Sequence, residues 1–254
     1  MEHGSKELEG QRTPRRIWVL LLLLGCAAIL VAFFCALGIW QVERRAWKLD
    51  LIERVEARIN APPVAVPPPA EWNSIDRAGF EYRRVEANGR FMAERTVFVQ
   101  AVTSRGGGFW VVTPLQTAEG FTILVNRGFV SSAQRAALQN SDEPVETSVT
   151  GLLRLSEPGG GFLRSNDPAG GRWFSRDVAA ISEAQGLSSV APYFIDAEAV
   201  PDAPEGSPLG GLTVVSFNNN HLVYALTWFG LALMALAAAA YLIRDERRLR
   251  RTQR

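Results

Sequence analysis

Two stretches of the chain carry no charged residue: Ile17 to Trp40, 24 residues, and Leu222 to Ile243, 22 residues. Each exceeds the roughly 20 residues that an α-helix needs to cross a bilayer. The pattern therefore predicts two transmembrane helices, at 17–40 and, with His221 at its start, 221–243. Beyond Trp40 the pattern turns amphipathic. Trp40, Arg44, Trp47 and Leu51 recur at helical spacing and extend the first helix outward as an interfacial segment over 41–60. Ala61 to Ala70, APPVAVPPPA, then stops it, because proline offers no amide hydrogen and favours an extended backbone. This segment reads as a Pro-rich linker into a domain covering 71–220.

Within that domain the pattern changes to short runs rich in Val, Ile, Phe and Thr, broken by glycine. Arg95–Val102, Phe109–Leu115, Phe121–Val130, Thr147–Leu155, Tyr193–Ala197 and Leu212–Phe217 read as strands. Arg105–Gly108 and Ala118–Gly120 have hairpin length and residues that tolerate positive φ. One helix is expected from Asp177 to Gln185, capped by Ser175 or Asp177 and stopped by Gly186. The expected fold class is an α+β membrane protein, with two transmembrane helices flanking one β-rich domain. Its sheet is expected to be antiparallel and curled, with a small helix. Gly25, Ala28, Ala32, Cys35 and Ala36 in the first span, and Ala232, Ala235 and Ala239 in the second, form small-residue stripes that let membrane helices approach closely.

Charge orients the chain. No Lys or Arg lies between Val200 and His221, whereas Arg244, Arg247, Arg248, Arg250, Arg251 and Arg254 follow the second span. Basic flanks stay on the cytoplasmic side, so both tails, 1–16 and 244–254, are expected in the cytoplasm and the domain in the periplasm of a bacterial inner membrane. The intervening segment from Gln41 to His221 carries 17 basic and 21 acidic residues, a net of −4, which makes nucleic acid an unsuitable partner. Membrane lipid is the expected surrounding. Both cysteines, Cys26 and Cys35, lie inside the first span, and His3 and His221 are the only histidines. The domain thus owns no thiolate nucleophile, no CxxC site and no histidine away from the membrane edge, and Lys48 is its one lysine. It is not expected to be an enzyme.

Five blocks in order between the two spans resemble the Surfeit locus protein 1 (Shy1-like) family, assembly factors of haem-copper cytochrome c oxidase. They are GIWQVERRAWKLDLI from Gly38, EYRRVEANGRF from Glu81, FWVVTPL with TILVNRGFV from Phe109 and Thr122, RWFSRDVAAI from Arg172, and NNHLVYALTWFG from Asn219. The resemblance implies assistance in delivering or inserting haem a into the large catalytic subunit. The implied partners are that subunit and haem a synthase. The alternative is a cofactor-free scaffold that stabilises an immature subunit.

A haem needs an axial ligand, apolar walls and partners for its propionates. The resemblance makes His221 the candidate ligand to the haem iron, with haem a bound transiently. Tyr224 and Trp228 follow it at helical spacing, Trp40 offers a further apolar wall, and Arg44 a propionate partner. The plainer reading stands beside this one: a histidine at a membrane edge after three asparagines serves as a helix cap or headgroup contact, and the aromatic residues form an interfacial belt. For Asn126-Arg127-Gly128 a turn-fixing role, with Arg127 paired to a carboxylate, is expected, and Trp173 is expected in the core.

Overall fold

The computed structural model describes residues 13–138, 146–161, 163–213 and 219–252. The chain divides into two units, a helical one of Met1–Ile52 with Phe217–Arg254 and a β-rich one of Glu53–Ser216. The architecture is α+β, with a long apolar helix at either end of the chain. The first, α1 (Ile17–Ile59), is continuous through the apolar run and the amphipathic stretch after it. Its last turn belongs to the β-rich unit, where Arg58 donates to the carbonyls of Ala78 and Glu81.

The proline segment that follows is extended, yet it is docked rather than free. Strand β1 (Val64–Ala65) pairs in parallel with β2 (Arg84–Phe91), and the Pro67 carbonyl accepts from the Tyr193 hydroxyl at 2.8 Å and the Trp72 indole at 3.2 Å. A spacer is replaced here by a packed edge, because an X–Pro backbone keeps its carbonyl as an acceptor even where it lacks a donor.

Strands β3 (Val97–Thr103), β4 (Gly106–Thr117) and β5 (Thr122–Val130) form an antiparallel meander. A short helix α2 (Ser132–Leu138) follows, then β6 (Thr147–Leu155), α3 (Val178–Ala184) and β7 (Val190–Ala197). The sheet order is β1-β2-β6-β7-β5-β4-β3, and β2 also pairs with β4 through Gly89–Phe91. That last pairing closes β2, β6, β7, β5 and β4 into a barrel, so the sheet is curled. It is not wholly antiparallel: β5 and β7 run in parallel, as do β1 and β2. The parallel pair is long-range, since β6 and α3 intervene between its strands. Leu212 and Thr213 form no strand, and 214–217 of that expected run lie outside the described residues.

The core follows from which faces are covered. Val85, Leu115, Ile123, Val125, Leu153, Tyr193 and Ile195 fill the barrel interior. On the opposite face, Val99, Val112, Leu124 and Phe194 pack on Trp173 and on Val178 and Ile181 of α3. Strand β5 is thus buried on both faces, which is why it reads as an almost unbroken apolar run. Asp177 caps α3 by accepting from the Ala180 amide, and Gly186, at φ +60°, follows its end.

The last helix, α4 (His221–Thr252), runs antiparallel to α1 within the helical unit. Phe34 stacks on Trp228 with ring centroids 5.9 Å apart, and Gly38 lies under the Phe229 ring, where a Cβ would come within 2.6 Å of it. Buried or half-buried positions form a row on each helix, Leu20, Leu24, Ala27, Val31, Phe34, Gly38 and Gln41 on α1 and Ala225, Trp228, Ala232, Ala235, Ala239, Leu242 and Glu246 on α4. Both rows alternate steps of three and four, the 3.5-residue repeat of supercoiled helices. The expected small stripe holds for α4, whereas on α1 only Cys35 of it is half-buried and Gly25, Ala28, Ala32 and Ala36 are exposed. Alanines on one helix leave hollows that larger side chains on the other fill, so only one of the two stripes faces the pair.

Candidate functional site

The helix pair is fastened by polar contacts at both ends. At one end Glu246, 2% exposed, accepts from the backbone amide of Arg15 at 3.2 Å and from the Arg250 guanidinium at 2.8 Å. The Arg15 guanidinium lies 3.6 Å from Asp245. At the other end Nδ1 of His221, in the first turn of α4, lies 2.7 Å from Oε1 of Gln41, a residue of α1 that is 9% exposed. The 24 helical steps from Ile17, where α1 begins, to Gln41 (41 − 17) span about 36 Å, longer than the roughly 30 Å hydrocarbon core of a bilayer.

The His221 contact has chemical content. A carboxamide oxygen only accepts, so the ring nitrogen facing it carries the proton, and in a neutral imidazole the other nitrogen then holds a lone pair. Nε2 has no protein partner among the described residues. Two residues upstream, Oδ1 of Asn219 is buried without a hydrogen-bond partner. A half-buried imidazole with a free lone pair, its other nitrogen hydrogen-bonded, is the arrangement seen in histidines that bind metal through one ring atom. Nε2 of His221 is thus a ligand atom of the kind a haem iron accepts.

The remaining candidates separate into two groups. Trp228 is half-buried against Phe34, so its ring serves the helix pair as well as the site. Ala225 is buried on the same row, whereas Tyr224 is 54% exposed and faces outward. Trp40 and Trp47 are exposed on α1, and the Arg44 guanidinium sits 4.0 Å over the Trp47 ring, held by a cation–π contact. The structure thus joins His221 to Gln41 and Trp228 to Phe34, and leaves Trp40, Arg44 and Tyr224 on open surface. Sequence makes Gln41 part of the first resemblance block and Asn219 part of a capping cluster, and neither a site residue. The available signal for Gln41 was a polar residue continuing an otherwise apolar 3.5-residue row, the pattern by which one polar position fixes the register of paired helices.

A second polar cluster lies in the β-rich unit. Asp196 on β7, 3% exposed, accepts from Asn126 at 2.8 Å, Arg176 at 2.8 Å, Arg154 at 2.9 Å and Thr213 at 2.9 Å. Glu157 takes two further bonds from Arg176, at 3.0 and 2.6 Å. Burial alone would lower the Arg176 value, but Asp196 and Glu157 outweigh it and hold the guanidinium above its ordinary range. With four donors the Asp196 carboxylate is saturated, so this cluster is a buried brace and not a ligand site.

The Asn-Arg-Gly block belongs to this brace through Asn126 rather than Arg127. Arg127 is the extra residue of a β-bulge, with Val111 opposite Gly128 and Val112 opposite Asn126, and its guanidinium lies 4.9 Å from the Phe91 ring. The Asn126 side-chain oxygen Oδ1 accepts from the Gly128 amide at 3.2 Å. Gly128, at φ +132°, lets the Leu209 backbone approach to where a Cβ would sit at 2.3 Å. Trp173 is core, 3% exposed. Among the described residues no three His, Cys, Asp or Glu side chains are placed to hold a metal ion.

A profile of the SURF1 family matches residues 28–233. Surfeit locus protein 1 of Mus musculus is 35% identical over 243 residues, covering 89% of this chain and 73% of the mouse protein. Surfeit locus protein 1 of Homo sapiens is 36% identical over 244 residues, covering 89% and 75% of the two chains. A SURF1-like protein of Drosophila melanogaster is 33% identical over 216 residues, covering 77% and 69%.

Proposed function

The chain belongs to the SURF1 family, and from that premise we propose that it is an assembly factor for haem-copper cytochrome c oxidase. It holds haem a at His221 for insertion into the large catalytic subunit, with that subunit and haem a synthase as its partners. The helices α1 and α4 anchor it in a bacterial inner membrane, both termini in the cytoplasm and the β-rich unit in the periplasm. The arginine-rich end of α4 supports this orientation, since Lys and Arg flanking a span are retained on the cytoplasmic side. In it, the Gln41–His221 contact lies at the periplasmic edge of the bilayer and the Arg15–Glu246 contact at the cytoplasmic edge.

The observation that carries the haem reading is His221 itself, hydrogen-bonded through Nδ1 with no partner at Nε2 among the described residues. Bound there, haem a would supply a redox-active iron, and His221 would be the residue that holds it. Exposed Trp40 and Tyr224 would offer it apolar surface and Arg44 a guanidinium for a propionate, while Trp228 stacks on Phe34 within the helix pair. One histidine ligand leaves the holder dependent on a single bond, which suits release to a second protein.

The test is complementation. Deleting the gene from a haem a-making host lowers the haem a bound to oxidase in its membranes, wild-type protein restores it, and His221→Ala protein of equal abundance does not. Full restoration by His221→Ala would leave the scaffold reading in place of the haem one. Unchanged oxidase in the deletion strain would contradict an assembly role.

A further inference from the structure

The geometry points to Gln41 as the positioning residue for His221: its carboxamide oxygen fixes the ring as the Nδ1–H tautomer and so presents Nε2 as the ligand atom. This rests on the haem-holding reading above, and adds to it the group that makes the histidine ligation-competent before any cofactor arrives.

Three observations carry it. The Nδ1 to Oε1 distance is 2.7 Å, and the oxygen has no proton to offer, so the direction of the bond is set by chemistry. Gln41 is 9% exposed and lies on the face of α1 turned to α4, so water competes poorly for the same bond. The two residues are 180 positions apart and on different helices, so the bond holds the ring against rotation only while α1 and α4 are paired.

The choice of a carboxamide also matters. A hydrogen bond at the remote nitrogen raises the donor strength of the ligating one, and a carboxylate partner would raise it further. Gln41 gives orientation with the weaker electronic push, which favours a ligand that must let go. Glu43, the nearest carboxylate in sequence, is exposed two residues away and does not take this place. Removal of such a partner typically costs about 10–100-fold in metal affinity.

Two measurements on the full chain in detergent test this. In the cofactor-free protein labelled with nitrogen-15 histidine, the His221 signals, assigned with His221→Ala, are expected to show a protonated Nδ1 and an unprotonated Nε2. In Gln41→Leu the proton is expected to redistribute toward Nε2. A protonated Nε2 in the wild type, or no change in Gln41→Leu, overturns the assignment. In titrations with free haem a, Gln41→Leu is expected to bind about 10–100-fold more weakly, while Gln41→Glu binds at least as tightly and lowers the iron reduction potential. Gln41→Glu keeps an acceptor in the same place, so it separates loss of the bond from loss of the fold. Equal affinity and potential in all three proteins overturns the inference. A wild type that binds no haem a rejects the haem reading, and the nitrogen spectra then still decide whether Gln41 sets the tautomer.

Discussion

Replacing Asp196 with alanine tests whether the β-rich unit is held by its buried brace. The wild-type carboxylate takes four hydrogen bonds, two of them from arginines whose side chains are each 14% exposed. Arg176 keeps both bonds to Glu157 after the substitution, so it loses only part of its pairing. Arg154 loses its sole side-chain hydrogen bond and is left with ion pairs to Glu157 at 3.5 Å and, through an Nε that makes no hydrogen bond, to Glu81 at 3.6 Å. Breaking a buried pair by removing one partner costs about 3–5 kcal/mol. For a unit of this size that lowers Tm by roughly 6–20 °C. Tryptophan fluorescence of the full chain in detergent follows the transition through Trp72, Trp110 and Trp173. The double variant Asp196→Leu, Arg154→Met should recover part of the loss, because an apolar pair needs no counter-charge. A loss below about 1 kcal/mol for Asp196→Ala, or no recovery in the double variant, would refute the view that the cluster is a buried and mutually dependent brace.

Gly128→Ala places a methyl group against the Leu209 backbone at a positive φ; a loss of about 2–4 kcal/mol in the same unfolding assay is expected, and an unchanged midpoint would mean that the bulge is pliable. The Tyr193 phenol is pushed up by burial, so the folded state is unaffected below the ordinary tyrosine range and loses stability as pH rises above about 10. Ultraviolet titration should show one tyrosine ionising only as the protein unfolds, and Tyr193→Phe should remove that feature at a cost of about 1 kcal/mol for the bond to Pro67. In the helical unit Gly38→Leu forces the Phe229 ring aside, separating spin labels placed on α1 and α4; Phe229→Ala in the same chain should restore their distance, and failure to do so would remove Gly38 from the helix contact.

Much of the fold was legible where burial is one-dimensional. The two apolar helices follow from uninterrupted runs, and β5 from a strand covered on both faces. Strand β2 escaped notice because RVEANGRF turns only Val85 and Ala87 fully inward, two small apolar side chains among charged ones. The parallel pairing of β5 with β7 and the closing contact of β2 with β4 join segments far apart in the chain, and no local period encodes them. The α1 stripe misled because small residues mark close approach only when the partner brings large ones to meet them, and α4 brought alanines. At the candidate site the histidine was readable as a residue type at a membrane edge. Its partner Gln41 was not, since the meaning of a lone glutamine depends on which face of the helix meets the other.

The central claim is that this chain holds haem a at His221. The most direct measurement is the visible spectrum, with pyridine haemochrome analysis, of protein purified from cells that make haem a, beside His221→Ala. The account predicts near-stoichiometric haem a in the wild type and its loss or a shifted band in the variant. A colourless wild type from haem a-replete cells, or a spectrum unchanged by the substitution, would contradict it.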